Sequence, residues 1–451
     1  MPLSSVLGLS SQRQRRSSCF GSHFRAAWFS SGLLDSTRFP RCLSVLNTPI
    51  PETMAKLPPL TTLPSPIQSN PKVRRAYDAI CGLEGSLELE LNAPELASDG
   101  HPLVGPAVST GRGQAQEFSL VCCRLLGYLL LYAPNERARE HVADEIIECE
   151  GRKERLEDLG RFYYVCFIGV FQSRSCRTPI PSPDSPPFNR PAFDIREDMD
   201  RDVRRDPPLD HVTAKKYALI RDGYRCVMTG YYDGPSCEAL PQLAQKVTEK
   251  RSPASITRCF HFLPILEPDS ENGNSDQRHP GDNGKSKNPP LDVNLNEGWT
   301  RILRNFGYAD VVDEMYSDPS GLGAHRLDNA VTLRLDTCLT FQESRIWIAP
   351  LDDPATQPPN TYKLEASDPI FLIGQPPTLT FQSSDPANLP LPNSRYLEIY
   401  TSCARVAHFS GARRFMEDVL KDYEERGVLE SDGSSASLLA HLLILNQTRR
   451  D

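Results

Sequence analysis

The sequence predicts an α+β fold: a small mixed domain flanked by N-terminal and C-terminal helical segments. Three observations carry the prediction. Residues 66–175 place apolar side chains three and four apart, the spacing of one helix face. Between 211 and 366 that pattern gives way to short strand-like runs mixed with helical ones and closed by turn residues. From 394 to 448 the helical spacing returns.

The elements follow in order. Residues 1–56 hold Arg13, Arg15, Arg16 and Arg25, many serines and no acid before Asp35. This suits a mitochondrial targeting segment, a disordered tail, or an extension ahead of a true start at Met54. Asn70-Pro71 opens a helix that ends near Gly82 or Gly85, and Gln114–Ala133 forms a second, apolar one. Pro134-Asn135 starts a third that stops at Gly151. Lys153–Ser173 carries Leu156, Leu159, Phe162, Tyr163, Cys166, Phe167 and Val170 at helical spacing. His141, among charged residues, is expected on a solvated face. Residues 176–210 contain eight prolines and cannot sustain a helix or a central strand, so they form a linker.

The mixed segment opens with a helix over Val212–Asp222 and a short strand over Tyr224–Thr229 closed by Gly230. Ile256–Leu266 alternates as a strand, with Phe260 and Phe262 on one face and Cys259, His261 and Leu263 on the other. A polar insertion over 268–297 is expected to be disordered. A helix over Trp299–Met315 and a hairpin of Arg345–Ile348 with Thr361–Glu365 complete the segment. Arg395–Arg426 then reads as one long helix ending at Gly427, with a last helix over Ala436–Asn446.

Composition bounds the function. A chain of 451 residues has room for two or three domains. Its net charge is −8, and beyond the first 56 residues it is −13, which argues against a broad duplex-binding face but not against a local one. The thirteen cysteines contain no CxxC pair, so neither a zinc ribbon nor a disulfide scaffold is expected. A reducing, intracellular location follows, nuclear or cytoplasmic, or mitochondrial if the leader acts. No run of 18 apolar residues appears, so no membrane partner is expected; the sequence leaves the oligomeric state open.

Six motifs stand in a fixed order: Cys226-Val227-Met228-Thr229-Gly230, Phe260-His261-Phe262-Leu263-Pro264, the Trp299–Met315 helix, Asn329-Ala330-Val331-Thr332-Leu333, Cys338-Leu339-Thr340-Phe341 and Ile346-Trp347-Ile348-Ala349-Pro350. Together, over roughly 212–366, they resemble the HNH nuclease domain, most closely the HNH proteins abundant in fungi. The resemblance implies a ββα-metal finger and a metal-dependent endonuclease that hydrolyses DNA phosphodiester bonds. It implies His261 as general base and Asn329 as orienter or metal ligand. Cys338 stands where the pattern has its second histidine, as a candidate metal ligand.

The implied cofactor is a divalent metal. Mg²⁺ or Mn²⁺ suits an oxygen donor such as Asn329, and Zn²⁺ suits a thiolate at Cys338. His325, Asp336 and Cys259 are further candidates for the site. Arg225, Arg258, Arg334 and Arg345 are candidates for a local phosphate-binding surface. Taken alone, His261 reads as a core histidine, Asn329 as a turn residue, Cys338 as a small buried hydrophobe and His325 as a solvated loop residue. The alternative function is an HNH-fold module without cleavage that works through binding.

Overall fold

The computed structural model describes residues 56–92, 111–171, 210–266, 294–317, 322–351 and 358–426. The tail, most of the proline-rich segment, most of the insertion and the Ala436–Asn446 helix lie outside these residues. The architecture is α+β, with helices accompanied by three small sheets.

The first helices are α1 (Ser65–Ser69) and α2 (Pro71–Leu91). Asn70 caps α2, its side chain accepting from the amides of Lys72 and Val73, and Pro71 fits the first turn, where an N–H has no partner. One face of α2 buries Val73, Ala76, Tyr77, Ile80 and Leu87 against α3 (Gly111–Tyr132). Arg124 interrupts the apolar run of α3 and is nonetheless buried, paired with Glu84 of α2 at 2.6 Å. Next come α4 (Glu136–Glu148) and α5 (Lys153–Tyr163), which runs on through a buried wider turn, Tyr164–Gly169.

The mixed part begins with α6 (His211–Arg221), β1 (Tyr232–Asp233), α7 (Gly234–Ala239), α8 (Pro241–Glu249) and β2 (Ala254–Ser255). β1 and β2 pair in parallel. β3 (Thr257–His261) follows, then α9 (Leu295–Asn305), α10 (Ala309–Tyr316), β4 (Ala330–Arg334) and α11 (Leu335–Gln342). β3 and β4 form an antiparallel ribbon with Phe260 opposite Val331 and His261 opposite Ala330. β5 (Ile346–Ala349), β6 (Thr361–Ala366) and β7 (Thr378–Thr380) make an antiparallel sheet, and α12 (Ser394–Phe409) and α13 (Ala412–Arg426) end the described chain.

The helical and mixed parts share one core. Phe167 and Phe171 lie 5.9 and 5.1 Å from Trp299, and Tyr400 of α12 contacts Phe171, Phe260, Phe262 and Phe341. Asn135 accepts from the Ala138 amide to cap α4 and donates from its other side-chain atom to the Phe306 carbonyl at the end of α9. Among the described residues no helix is long and apolar enough to cross a membrane.

Several elements differ from expectation. Trp299–Met315 and Arg395–Arg426 are each two helices, because Gly307 (φ 87°) and Gly411 (φ 80°) adopt a left-handed backbone that no helix can continue through. Tyr224–Thr229 is not a strand: it turns back so that Cys226 N donates to Tyr231 O, leaving one bridge, Arg225 to Tyr232. The insertion ends earlier than 297, since Asn294 caps a helix that starts at Leu295. The expected hairpin of Arg345–Ile348 with Thr361–Glu365 forms as β5 and β6, and β7 adds a third strand to it.

Candidate functional site

The site lies where the β3–β4 ribbon opens. Past His261 the ladder passes to a side chain. Phe262 N donates to Asn329 O at 2.9 Å, and Leu263 N donates to Asn329 Oδ1 at 2.8 Å. Asn329 Nδ2 donates to Leu263 O at 3.1 Å and to Ala324 O at 3.0 Å. The carboxamide thereby ties the end of the strand that carries His261 to the turn Leu322–His325 that carries His325. That turn sits tightly on α10. A Cβ on Gly323 would come 2.5 Å from the Met315 carbonyl oxygen, so only glycine fits there without displacement.

The third wall is α6. Asp210 and Thr213 form a reciprocal capping box at its N-terminus and fix the first turn, where His211 stands. Lys215 follows one turn later on the same side. At the other end Arg221 is buried and donates to the carbonyls of Leu327 (2.8 Å) and Ala330 (2.7 Å), on either side of Asn329, while pairing with Asp222. Asp222 in turn accepts from Thr332 N at 2.8 Å. One helix thus supplies a histidine and clamps the segment around Asn329, whose side chain ties the strand end of His261 to the turn of His325.

These constraints bring His211, His261 and His325 together, with one ring nitrogen from each lying within 4.8 Å of the others. Ring centroids are 5.6 Å apart for His211 and His261 and 5.7 Å for His261 and His325. His261 is 1% exposed, and the other two are half-buried. Burial, with His211 and His325 adding to it, holds the His261 imidazole well below its ordinary range. Burial first, then His325, Lys215 and Arg258, lower His211 to about 4, and burial also lowers His325, with Asp210 opposing. All three rings are therefore unprotonated near neutral pH, with lone pairs available to a cation or a proton. His261 Nε2 and His325 Nδ1 are buried with no hydrogen-bond partner. Lys215 and Arg258 are close enough to His211 to lower it by charge, and they do not act on His261 or His325 in the same way.

The sequence candidates fall out unevenly. His261, His325 and Asn329 meet, Asn329 through backbone bonds and not through His261's ring. Cys338 does not join them. Phe260 and His261 point to opposite faces of β3, and α11 lays Phe341 against Phe260 at 5.5 Å, so Cys338 is buried in that core. Asp336 is held by Arg334 at 2.5 Å. Cys259 packs with Tyr217, Ala218 and Leu327, and burial pushes its thiol up to about 12. Arg334 and Arg345 are spent on Asp336 and on Glu343 and Glu417.

No family model matches the chain, and no curated protein or solved structure is significantly similar to it. The likeness to HNH domains therefore stands on the six motifs and their order.

Sequence reasoning missed His211. The helix was expected to begin at Val212, which leaves His211 just outside it, at the first position of the mixed segment. The signal was Asp210 and Thr213, three apart, which put the cap at Asp210 and His211 inside the first turn.

Proposed function

We propose that this protein hydrolyses DNA phosphodiester bonds in a divalent-metal-dependent reaction of the HNH type, centred on the open end of the β3–β4 ribbon. The observation that carries the reading is the convergence of three unprotonated imidazoles, with Lys215 and Arg258 near enough to His211 to act on it by charge. Phosphodiester hydrolysis needs a proton acceptor for water and positive charge for the phosphate oxygens. A divalent cation bound there would supply Lewis acidity and lower the pKa of a water. Lys215 and Arg258 would hold the phosphate by charge, and their placement is local, as the chain's net acidity requires. Asn329 acts as a positioning residue that fixes the strand end and the turn. Cys338 has no part.

A second reading has an observation of its own. His261 is only 1% exposed, which suits an HNH-fold binding module that has lost cleavage. A plasmid-nicking assay with Mg²⁺, Mn²⁺ or Zn²⁺, comparing wild type with His261→Ala, separates the two. Metal-dependent nicking that the variant loses supports the nuclease. No nicking with any metal, or equal nicking by both proteins, sinks it and leaves the binding module.

A further inference from the structure

We infer that His211, His261 and His325 form a three-nitrogen metal centre with an open position, suited to Zn²⁺ or Co²⁺ and not to Mg²⁺. It concerns the site of the nuclease proposal but stands on metal binding alone, whether or not DNA is cut.

Donor chemistry supports it first. Imidazole is a borderline ligand that suits zinc and its neighbours, whereas Mg²⁺ takes oxygens in an octahedron. Among the described residues, no carboxylate or thiolate joins the group. Three protein ligands with a vacant fourth position is the arrangement of a site that keeps room for water or an anion, whereas structural zinc sites fill all four.

Geometry is the second support. Zinc–nitrogen bonds of about 2.0–2.1 Å in a tetrahedral site set the nitrogens about 3.3 Å apart. The three nitrogens already lie within 4.8 Å of one another, close to that spacing. Asn329 bonds the strand end to the turn, and Arg221 locks α6 to the same segment.

The third support is the pair of orphaned atoms. A buried ring nitrogen without a partner is costly, and this site has two, His261 Nε2 and His325 Nδ1. A cation at the centre would satisfy them together.

The surrounding charge then assigns the open position. Lys215 and Arg258 oppose a bare dication, and Asp210, whose side chain caps α6, offsets them in part. The positive charge near His211 favours an anionic fourth ligand such as hydroxide or a phosphate oxygen.

The test uses the full chain, stripped with chelator and titrated with Co²⁺, whose visible absorption reports coordination geometry and ligand type. One equivalent should give the intense bands of a four-coordinate nitrogen site. Zn²⁺ should displace the Co²⁺, and Mg²⁺ in excess should not. His325→Gln and His211→Gln, checked for folding by circular dichroism, should each weaken Co²⁺ binding about 100-fold or more, the scale expected for loss of a direct ligand. Cys338→Ser should bind as the wild type does. Absence of stoichiometric binding overturns the assignment, as does binding that survives both histidine substitutions or that is lost in Cys338→Ser. Failure of nicking with this spectrum intact would remove the nuclease and leave the metal centre.

Discussion

Asn329 holds Leu263 with both polar atoms of its side chain, Oδ1 accepting from the Leu263 amide at 2.8 Å and Nδ2 donating to the Leu263 carbonyl at 3.1 Å. The carboxamide imitates a peptide group and prolongs the β3–β4 ladder where the backbone of β4 has turned away. Asn329→Asp keeps the shape but turns the donor into an acceptor facing the carbonyls of Leu263 and Ala324. With Asn329 fully buried, this should cost about 3 kcal/mol or more, since a buried charge left against acceptors exceeds the usual unsatisfied-group penalty. The urea midpoint measures it. A midpoint within error of wild type would mean the side-chain bonds do not hold the ribbon end.

Arg221 serves three backbone carbonyls and a carboxylate from a fully buried position. Arg221→Met preserves much of the volume and strands Asp222 as a buried charge. A loss of about 3–5 kcal/mol is expected, the usual consequence of removing one partner of a buried pair. Chemical denaturation of the variant gives the value directly.

Gly323 tests how tightly the His325 turn is seated. Gly323→Ala drives a methyl against the Met315 and Glu314 carbonyls and should destabilise by about 1–3 kcal/mol. Gly85→Ala is the control. It lies inside α2 with nothing within 4 Å of the added methyl, and should stabilise by about 0.5–1 kcal/mol. Thermal unfolding should move the two variants in opposite directions; movement in the same direction would contradict the close approach.

His408, near the end of α12, is lowered to about 4, by burial first and then by Arg413, against the pull of Asp368. Below the ordinary histidine value of about 6.5 the unfolded chain binds a proton that the folded chain refuses. This contribution to stability is complete above about 6.5, declines as the pH falls towards 4 and then levels off. His211 and His261 act in the same direction, so His408→Gln should flatten the acid limb without abolishing it. Unfolding free energies at pH 7, 6, 5 and 4.5 would show this; parallel curves for both proteins would exclude it.

The helix starts of the helical layer were legible because their signals are local, whereas α2 runs through Gly82 and Gly85 to Leu91 and does not end at either. Asn70-Pro71 and Asn135 announce helix starts through their own caps, and the spacing of Leu156, Tyr163 and Phe167 needs no partner to be recognised. The breaks at Gly307 and Gly411 were not legible, since a glycine inside a periodic run is compatible with either a helix or a left-handed turn, and tertiary packing decides. The site was half legible. His261 and Asn329 came from the motif, but the function of the Asn329 side chain depends on Leu263 and Ala324, which it meets only after folding. His211 belongs to the group through the position of α6 over the ribbon, a long-range fact that no local pattern carries.

The amide of Asn135 begins α4 with one atom and closes α9 with the other, and Trp299 lies under Phe167 and Phe171. The histidine-bearing half consequently lacks a finished surface of its own. Cutting the chain ahead of position 211 would strip Trp299 and Phe306 of their cover and expose a wide greasy face. Excised, that half should aggregate, and in the intact protein residues 56–171 and 210–426 should melt together in a single cooperative step.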